Sequence, residues 1–390
     1  MNPWRVYQHW NPGKLIFGPN SLNQLTNELS LKEVPLIVTD KGVSNAGILN
    51  KLTAVLDGAG IRYHVFDGIE PDPPFEIVEK AAAVYQDKGC TLVIGLGGGS
   101  SIDGAKVVSL RVSQKGNLRE YAMGKVIEGM IAPIYAIPTT AGTGSEVTGV
   151  AVIKDQENKM KMVLRGMQLI PKTVILDPEL LASIPPKVAA ETGADALSHA
   201  VESYVSLNSN VITEAFALSA IRLIARYLRG MVANPGDIET AGQMLLASCI
   251  AGLSFSNAGL GLTHSIAHPL GAYFHVSHGL SCALYLPIVM DFNLPTCPEK
   301  FASIADAMGE NVRQFSPHRA AKQAVFAVRE LFADIGVPRT FSELGISFEL
   351  NPKMVEDAFA AVPTGLNPRK ADKDQISKLF IAPSQELEDY

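Results

Sequence analysis

Long apolar runs are scarce in this chain of 390 residues. No uncharged apolar run reaches the roughly 18 residues that a membrane-crossing helix requires, so no membrane partner is expected. The opening residues Met1-Asn2-Pro3-Trp4-Arg5 lack the apolar stretch of a secretory leader. Cysteine is rare as well. Cys90, Cys249, Cys282 and Cys297 are the only four, and none has CxxC spacing. A disulfide framework or a thiolate metal site is therefore not expected. Charged residues make up 18% of the chain and the net charge is −6. No basic patch is visible, which argues against a nucleic-acid partner. With 47% hydrophobic residues, the composition is globular and too apolar for disorder. The expectation is a soluble cytoplasmic protein, long enough for two domains.

The first half alternates short apolar runs with amphipathic stretches. Strands are predicted at 35–39, 63–66, 91–96, 134–137 and 173–176. The spacing of Ile77, Ala81, Val84 and Tyr85 predicts a helix over 75–88. Strands alternating with helices imply a mostly parallel sheet covered on both faces. After Pro185-Pro186 the pattern becomes helical, weakened at Gly193 and Asn208–Asn210 and broken at Asn234-Pro235-Gly236. The domain boundary is therefore placed at 184/185, with an α/β domain over 1–184 and an all-helical domain over 185–390. The acidic segment 385–390 reads as a mobile end.

Two polar turns follow predicted strands. Gly95-Leu96-Gly97-Gly98-Gly99-Ser100-Ser101-Ile102-Asp103 enters a helix. Consecutive glycines admit close approach of a ligand, and the helix start offers free N–H groups to a phosphate. Pro138-Thr139-Thr140-Ala141-Gly142-Thr143-Gly144-Ser145 supplies hydroxyls suited to a pyrophosphate or ribose, although Thr143 or Ser145 could equally cap the next helix. Together the two turns favour nucleotide binding. Asp40 ends the first predicted strand, where a carboxylate accepts from a ribose and repels a 2′-phosphate, favouring NAD over NADP. It precedes the glycine-rich turn instead of following it by about twenty residues, so the topology is not the usual dinucleotide one.

Five of the eight histidines fall between 199 and 278. Asp195 and His199 are spaced i, i+4, as are His264 and His268, and His278 follows. Such spacing places each pair on one helix face. Clustered among small apolar residues, the rings need partners, and a divalent ion supplies one by taking their lone pairs. Three histidines and a carboxylate suit Fe²⁺ or Zn²⁺, and Mn²⁺ less well, but not Ca²⁺ or Mg²⁺. Glu202, one turn beyond His199, is either an outer partner of the metal site or a solvated side chain. His275 is expected at a rim.

The runs Val38-Thr39-Asp40-Lys41-Gly42, Gly97-Gly98-Gly99-Ser100, Pro138–Glu146, Gly193–Ala200, His264–Gly271 and Asn367-Pro368-Arg369 resemble the iron-containing (group III) alcohol dehydrogenases. That family includes lactaldehyde reductase, propanediol dehydrogenase and NAD-dependent methanol dehydrogenase, and the likeness covers nearly the whole chain. It implies a dehydroquinate synthase-like fold, with an α/β dinucleotide-binding domain and an all-α metal-binding domain. The implied metal ligands are Asp195, His199, His264 and His278, with His268 as a possible member of a proton relay. The implied cofactor residues are Asp40, Gly97, Gly98, Gly99, Ser100, Asp103, Thr139, Thr140, Thr143, Lys161 and Leu180.

Relatives usually carry proline where this chain has Ser277. Lactaldehyde reductase has asparagine where Asp72 and Val150 align and cysteine where Pro363 aligns, while Phe255 matches a pocket aromatic. The implied substrate pocket therefore differs in polarity. The implied activity is hydride transfer between NAD(H) and a small primary alcohol or aldehyde, with Fe²⁺, or alternatively Zn²⁺, polarising the substrate oxygen. The resemblance also implies a homodimer or larger homo-oligomer. The alternatives are a metal- and NAD-dependent lyase or synthase of the same broad fold and a non-catalytic nucleotide- or metal-binding protein.

Overall fold

The computed structural model describes residues 6–157 and 160–384; the acidic end 385–390 and the first five residues lie outside these. In chain order, the first elements are β1 (Lys14–Phe17), α1 (Leu25–Glu28), β2 (Pro35–Asp40), α2 (Lys41–Asn45), α3 (Ile48–Gly58), β3 (His64–Ile69) and α4 (Phe75–Asp87). Then follow β4 (Leu92–Gly97), α5 (Gly99–Ser113), α6 (Leu118–Ala122), β5 (Ile134–Pro138), β6 (Val150–Asp155), β7 (Met160–Arg165) and β8 (Thr173–Leu176). The remaining helices are α7 (Pro186–Val205), α8 (Val211–Ala233), α9 (Ile238–Ala258), α10 (Leu262–Phe274), α11 (His278–Asn293), α12 (Pro298–Met308), α13 (Pro317–Asp334), α14 (Pro352–Ala360) and α15 (Lys373–Ile381).

The described residues group into two compact units. One comprises 10–184 and 236–249, the other 6–9, 185–235 and 250–384. In the first, six strands form a parallel sheet in the order β1-β8-β5-β4-β2-β3. Strands β2, β4, β5 and β8 are buried almost throughout, which is why each reads as an unbroken apolar run. From β2 the chain adds β3 on one side and β4 on the other. That reversal opens a crevice beyond the carboxyl ends of β2 and β4, where open α/β sheets bind ligands. Two features are absent from the sequence expectation. The edge strand β1 is short and largely exposed, and β6 and β7 form a separate antiparallel pair.

In the second unit, Pro186 occupies the first turn of α7, where its missing N–H costs nothing. Asn210 caps α8 and Thr213 reaches back to it, so the predicted weak point at 208–210 is a true helix break. Leu262, Ile266 and Leu270 of α10 pack with Tyr285, Val289, Met354 and Phe380. Among the described residues α9 is long and apolar enough to cross a membrane by length and composition, although polar residues from Glu239 to Asn257 interrupt its apolar run. Because 61% of its apolar window is buried inside the protein, it has the character of a core helix.

Candidate functional site

Three helices of the second unit carry the histidine cluster. Asp195, His199 and Glu202 lie on α7, His264 and His268 on α10, and His278 at the start of α11. The turn between α10 and α11 is short, with His275 in the left-handed region at φ 57°. Gly279 lets α11 approach α7, because a Cβ there would lie 2.3 Å from the Glu191 carbonyl oxygen. Ser277 reinforces the approach by donating to Glu191 Oε2 at 2.6 Å. This hydrogen bond ties down a turn that serine in place of proline would otherwise loosen.

The donor atoms converge on Asp195 Oδ1. It lies 3.9 Å from His199 Nε2, 3.7 Å from His264 Nε2 and 3.6 Å from His278 Nε2. Asp195 and His264 are buried, and Asp195 Oδ1 and His264 Nε2 make no hydrogen bond. Buried polar atoms left without a partner are costly, and a cation between them would satisfy both. The donor set therefore fits a divalent metal ion. Bond lengths of about 2.0–2.3 Å put neighbouring donors of a tetrahedral ion roughly 3.3–3.8 Å apart, close to the separations found.

The surroundings orient these donors. Glu202 Oε2 lies 2.6 Å from His264 Nδ1, which fixes the proton on Nδ1 and leaves the Nε2 lone pair for a metal. The same carboxylate accepts from the N–H groups of Gly261 at 3.0 Å and Thr263 at 2.6 Å. Burial opposes ionisation of Glu202, but the bonds from His264, Gly261 and Thr263 hold its carboxyl below the usual range. Burial likewise opposes ionisation of Asp195, yet the neighbouring His199, His278 and His264 hold its carboxyl well below the usual range, so it stays a carboxylate. Phe255 stacks on His199 at a ring separation of 4.3 Å. His268 is exposed, with its ring 5.3 Å from that of His278. Asn367 accepts from the Leu262 N–H and donates to Asn293, anchoring the start of α10.

One residue near the cluster escaped the spacing argument. Cys282 stands one turn after His278 on α11, and its Sγ lies 3.7 Å from His278 Nε2. Its sulfur and one donor atom each from Asp195, His264 and His278 lie within 4.8 Å of one another. The cysteine spacing gave no expectation of a thiolate metal site, and the fold nevertheless brings this one thiol beside the histidine cluster. CxxC spacing reports only pairs of thiols, whereas the signal here is the i, i+4 pair His278 and Cys282.

In the first unit the two polar turns meet at the switch point. Gly97 ends β4 at φ 143°, and a Cβ there would collide with Ser101 Oγ at 2.6 Å. Ser101 Oγ donates to Asp40 Oδ2 at 2.8 Å, and the Thr139 N–H donates to the Gly97 carbonyl at 3.0 Å. Gly98 packs against Thr140 and Gly99 against Thr143. Asp40, Gly97–Ser101 and Thr139–Thr143 thus form one group at the start of α5, whose first N–H groups have no partner within the helix.

Asp103 is turned inward, accepting from Ser145 Oγ and from the Val152 N–H at 2.8 Å. Lys106 is fully buried beside it and donates to Ser145, Thr148 and the Val150 carbonyl. Lys161 bonds Asp72 at 2.9 Å, joining a residue expected at the cofactor to one expected at the substrate. Leu180 is buried just after β8. Of the expected pocket residues, Asp72 and Val150 belong to this unit, and Phe255 and Pro363 to the other.

Comparison with known proteins agrees with this chemistry. Residues 12–178 match the family model described as "Iron-containing alcohol dehydrogenase". Residues 189–383 match "Fe-containing alcohol dehydrogenase family, C-terminal". The 1,3-propanediol dehydrogenase of Klebsiella pneumoniae is 38% identical over 381 residues, covering 97% of this chain and 98% of its own. The NAD-dependent methanol dehydrogenase of Bacillus methanolicus is 38% identical over 345 residues, covering 88% and 91%. A crystal structure of 1,3-propanediol oxidoreductase superposes with a TM-score of 0.94 at 38% identity, over 96% of this chain and 99% of that one. These relatives are oxidoreductases, so neither the lyase reading nor the non-catalytic one finds support among them. From its first strand to its last helices, the chain belongs to the iron-containing alcohol dehydrogenase family.

Proposed function

We propose that the chain is an NAD-dependent dehydrogenase that oxidises a small primary alcohol, or reduces the matching aldehyde, at the centre formed by Asp195, His199, His264 and His278. One observation carries this reading: Asp195 Oδ1 and His264 Nε2 are buried, unsatisfied and 3.7 Å apart. When bound, Fe²⁺ or Zn²⁺ supplies Lewis acidity toward the substrate oxygen, and NAD supplies the hydride chemistry. Asp195 contributes the negative charge that a divalent ion requires. Glu202 holds His264 in the metal-binding tautomer. Phe255 fixes the His199 ring and keeps water from its face. His268, exposed beside His278, takes the hydroxyl proton at a ring nitrogen and passes it to solvent.

Residues 1–184 are assigned to NAD binding and 185–390 to metal binding and catalysis. Asp40 accepts from the adenosine ribose. Gly97, Gly98, Gly99 and Ser100 meet the pyrophosphate at the start of α5, with Thr139, Thr140 and Thr143 beside them. Asp103 supports the second turn from within, and Lys161 and Leu180 line the remaining cofactor surface. Asp72, Val150, Phe255 and Pro363 are assigned to the substrate pocket. The net charge of −6 and the burial of α9 support a cytoplasmic enzyme without nucleic-acid or membrane partners, and the family resemblance implies a homodimer or larger homo-oligomer.

The test is anaerobic. Metal-stripped protein receives Fe²⁺ or Zn²⁺ separately, and NADH absorbance is followed with a panel of short alcohols and diols. Metal-dependent NADH formation is expected. NAD binding without turnover on any substrate with either metal would contradict the reading.

A further inference from the structure

We propose that Cys282 supplies a sulfur ligand to the metal held by Asp195, His264 and His278, so that this chain's centre favours Zn²⁺ over Fe²⁺. The inference rests on the metal-centre reading above but goes beyond the four donors assigned there. Cys282 is fully buried, and its position on α11 repeats the i, i+4 relation that pairs Asp195 with His199. Its Sγ lies 3.7 Å from His278 Nε2. Asp195 Oδ1 is 3.6 Å from that same nitrogen and 3.7 Å from His264 Nε2. All four donor atoms lie within 4.8 Å of one another. Two of them, Asp195 Oδ1 and His264 Nε2, are buried without a hydrogen bond.

Four donors at such separations can surround one ion. A zinc–sulfur bond of about 2.3 Å and zinc–nitrogen or zinc–oxygen bonds of about 2.0–2.1 Å require edges of this size. On binding, the thiol loses its proton to solvent and the sulfur–metal bond forms, with no change of oxidation state. Replacing an imidazole or water by a soft thiolate moves a mixed nitrogen and oxygen site toward Zn²⁺. His199, 3.9 Å from Asp195 Oδ1, then competes with Cys282 for the fourth position.

The experiment is X-ray absorption at the zinc edge on the full-length protein loaded with one equivalent of Zn²⁺. One sulfur scatterer at about 2.3 Å is expected. In parallel, protein loaded anaerobically with Co²⁺ should show a near-ultraviolet thiolate-to-cobalt charge-transfer band. Cys282→Ser should lose that band while still binding cobalt, and Cys90→Ser, altered in the other unit, should keep it. A nitrogen and oxygen shell alone, or a band that survives in Cys282→Ser, would overturn the sulfur ligand and leave the metal centre standing. Failure to retain stoichiometric zinc would overturn both. The measurement on unaltered protein decides the matter even if the variant does not fold.

Discussion

Glu202 touches no metal donor except through His264, yet the cluster depends on it. Its two oxygens collect the His264 ring and the N–H groups of Gly261 and Thr263. Glu202→Gln removes the charge that keeps His264 Nδ1 protonated, and metal affinity should fall about 10–100-fold, measured by competition with a chelator. An unchanged affinity would mean that His264 is oriented by packing alone. Residue-scale chemistry was only partly legible in the sequence. Asp195 with His199 and His264 with His268 declared themselves by spacing. Glu202 reads more readily as a solvated side chain, because its partners come from the start of α10 and only the fold brings them together. Cys282 carries the same i, i+4 signal with His278, but a lone cysteine without a second thiol gives no metal-site pattern of its own.

At the scale of elements, the centre depends on how closely α11 approaches α7. Gly279 has no room for a side chain: its Cβ would meet the Glu191 carbonyl carbon at 2.9 Å as well as its oxygen. Gly279→Ala must push the two helices apart, at a cost of about 1–3 kcal/mol for overpacking. His278 would move with α11. A lower Tm together with weaker metal binding is expected, and a loss of stability without any loss of metal would detach His278 from the centre. The buried strands β2, β4, β5 and β8 were legible as apolar runs and α4 as a helical repeat. The edge strand β1 was not, because four mostly exposed residues carry little pattern. The β6–β7 pair was missed because its strands pair with each other outside the main sheet.

For the whole molecule, the two units explain why length and texture revealed the architecture sooner than the reaction. Alternating strands and helices, then helices alone, specify a fold class that hosts many chemistries, and the identity of the alcohol is not written in that texture. Global stability carries its own signature in the buried group beneath the second polar turn. Burial pushes the Glu146 carboxyl up from 4.5 to about 7, with its own N–H and Lys106 opposing only in part. Burial also pulls Lys106 down to about 8, against the pull of Asp103 and Glu146. Because the folded value for Glu146 lies above the unfolded one, its contribution is fully present below about pH 4.5 and is lost as pH rises through about 7. Glu146→Gln should therefore gain stability relative to the unaltered protein between pH 5 and 8, by on the order of 2 kcal/mol. Parallel thermal melts across that range check it, and a pH-independent difference would exclude an ionising Glu146. We propose above all that the histidine cluster holds the metal that hydride transfer needs. The most direct test is His264→Ala, assayed for bound metal by mass spectrometry and for NADH formation after Fe²⁺ or Zn²⁺ is supplied. Loss of both stoichiometric metal and activity in a folded variant is predicted, and a fully active variant without metal would contradict the account.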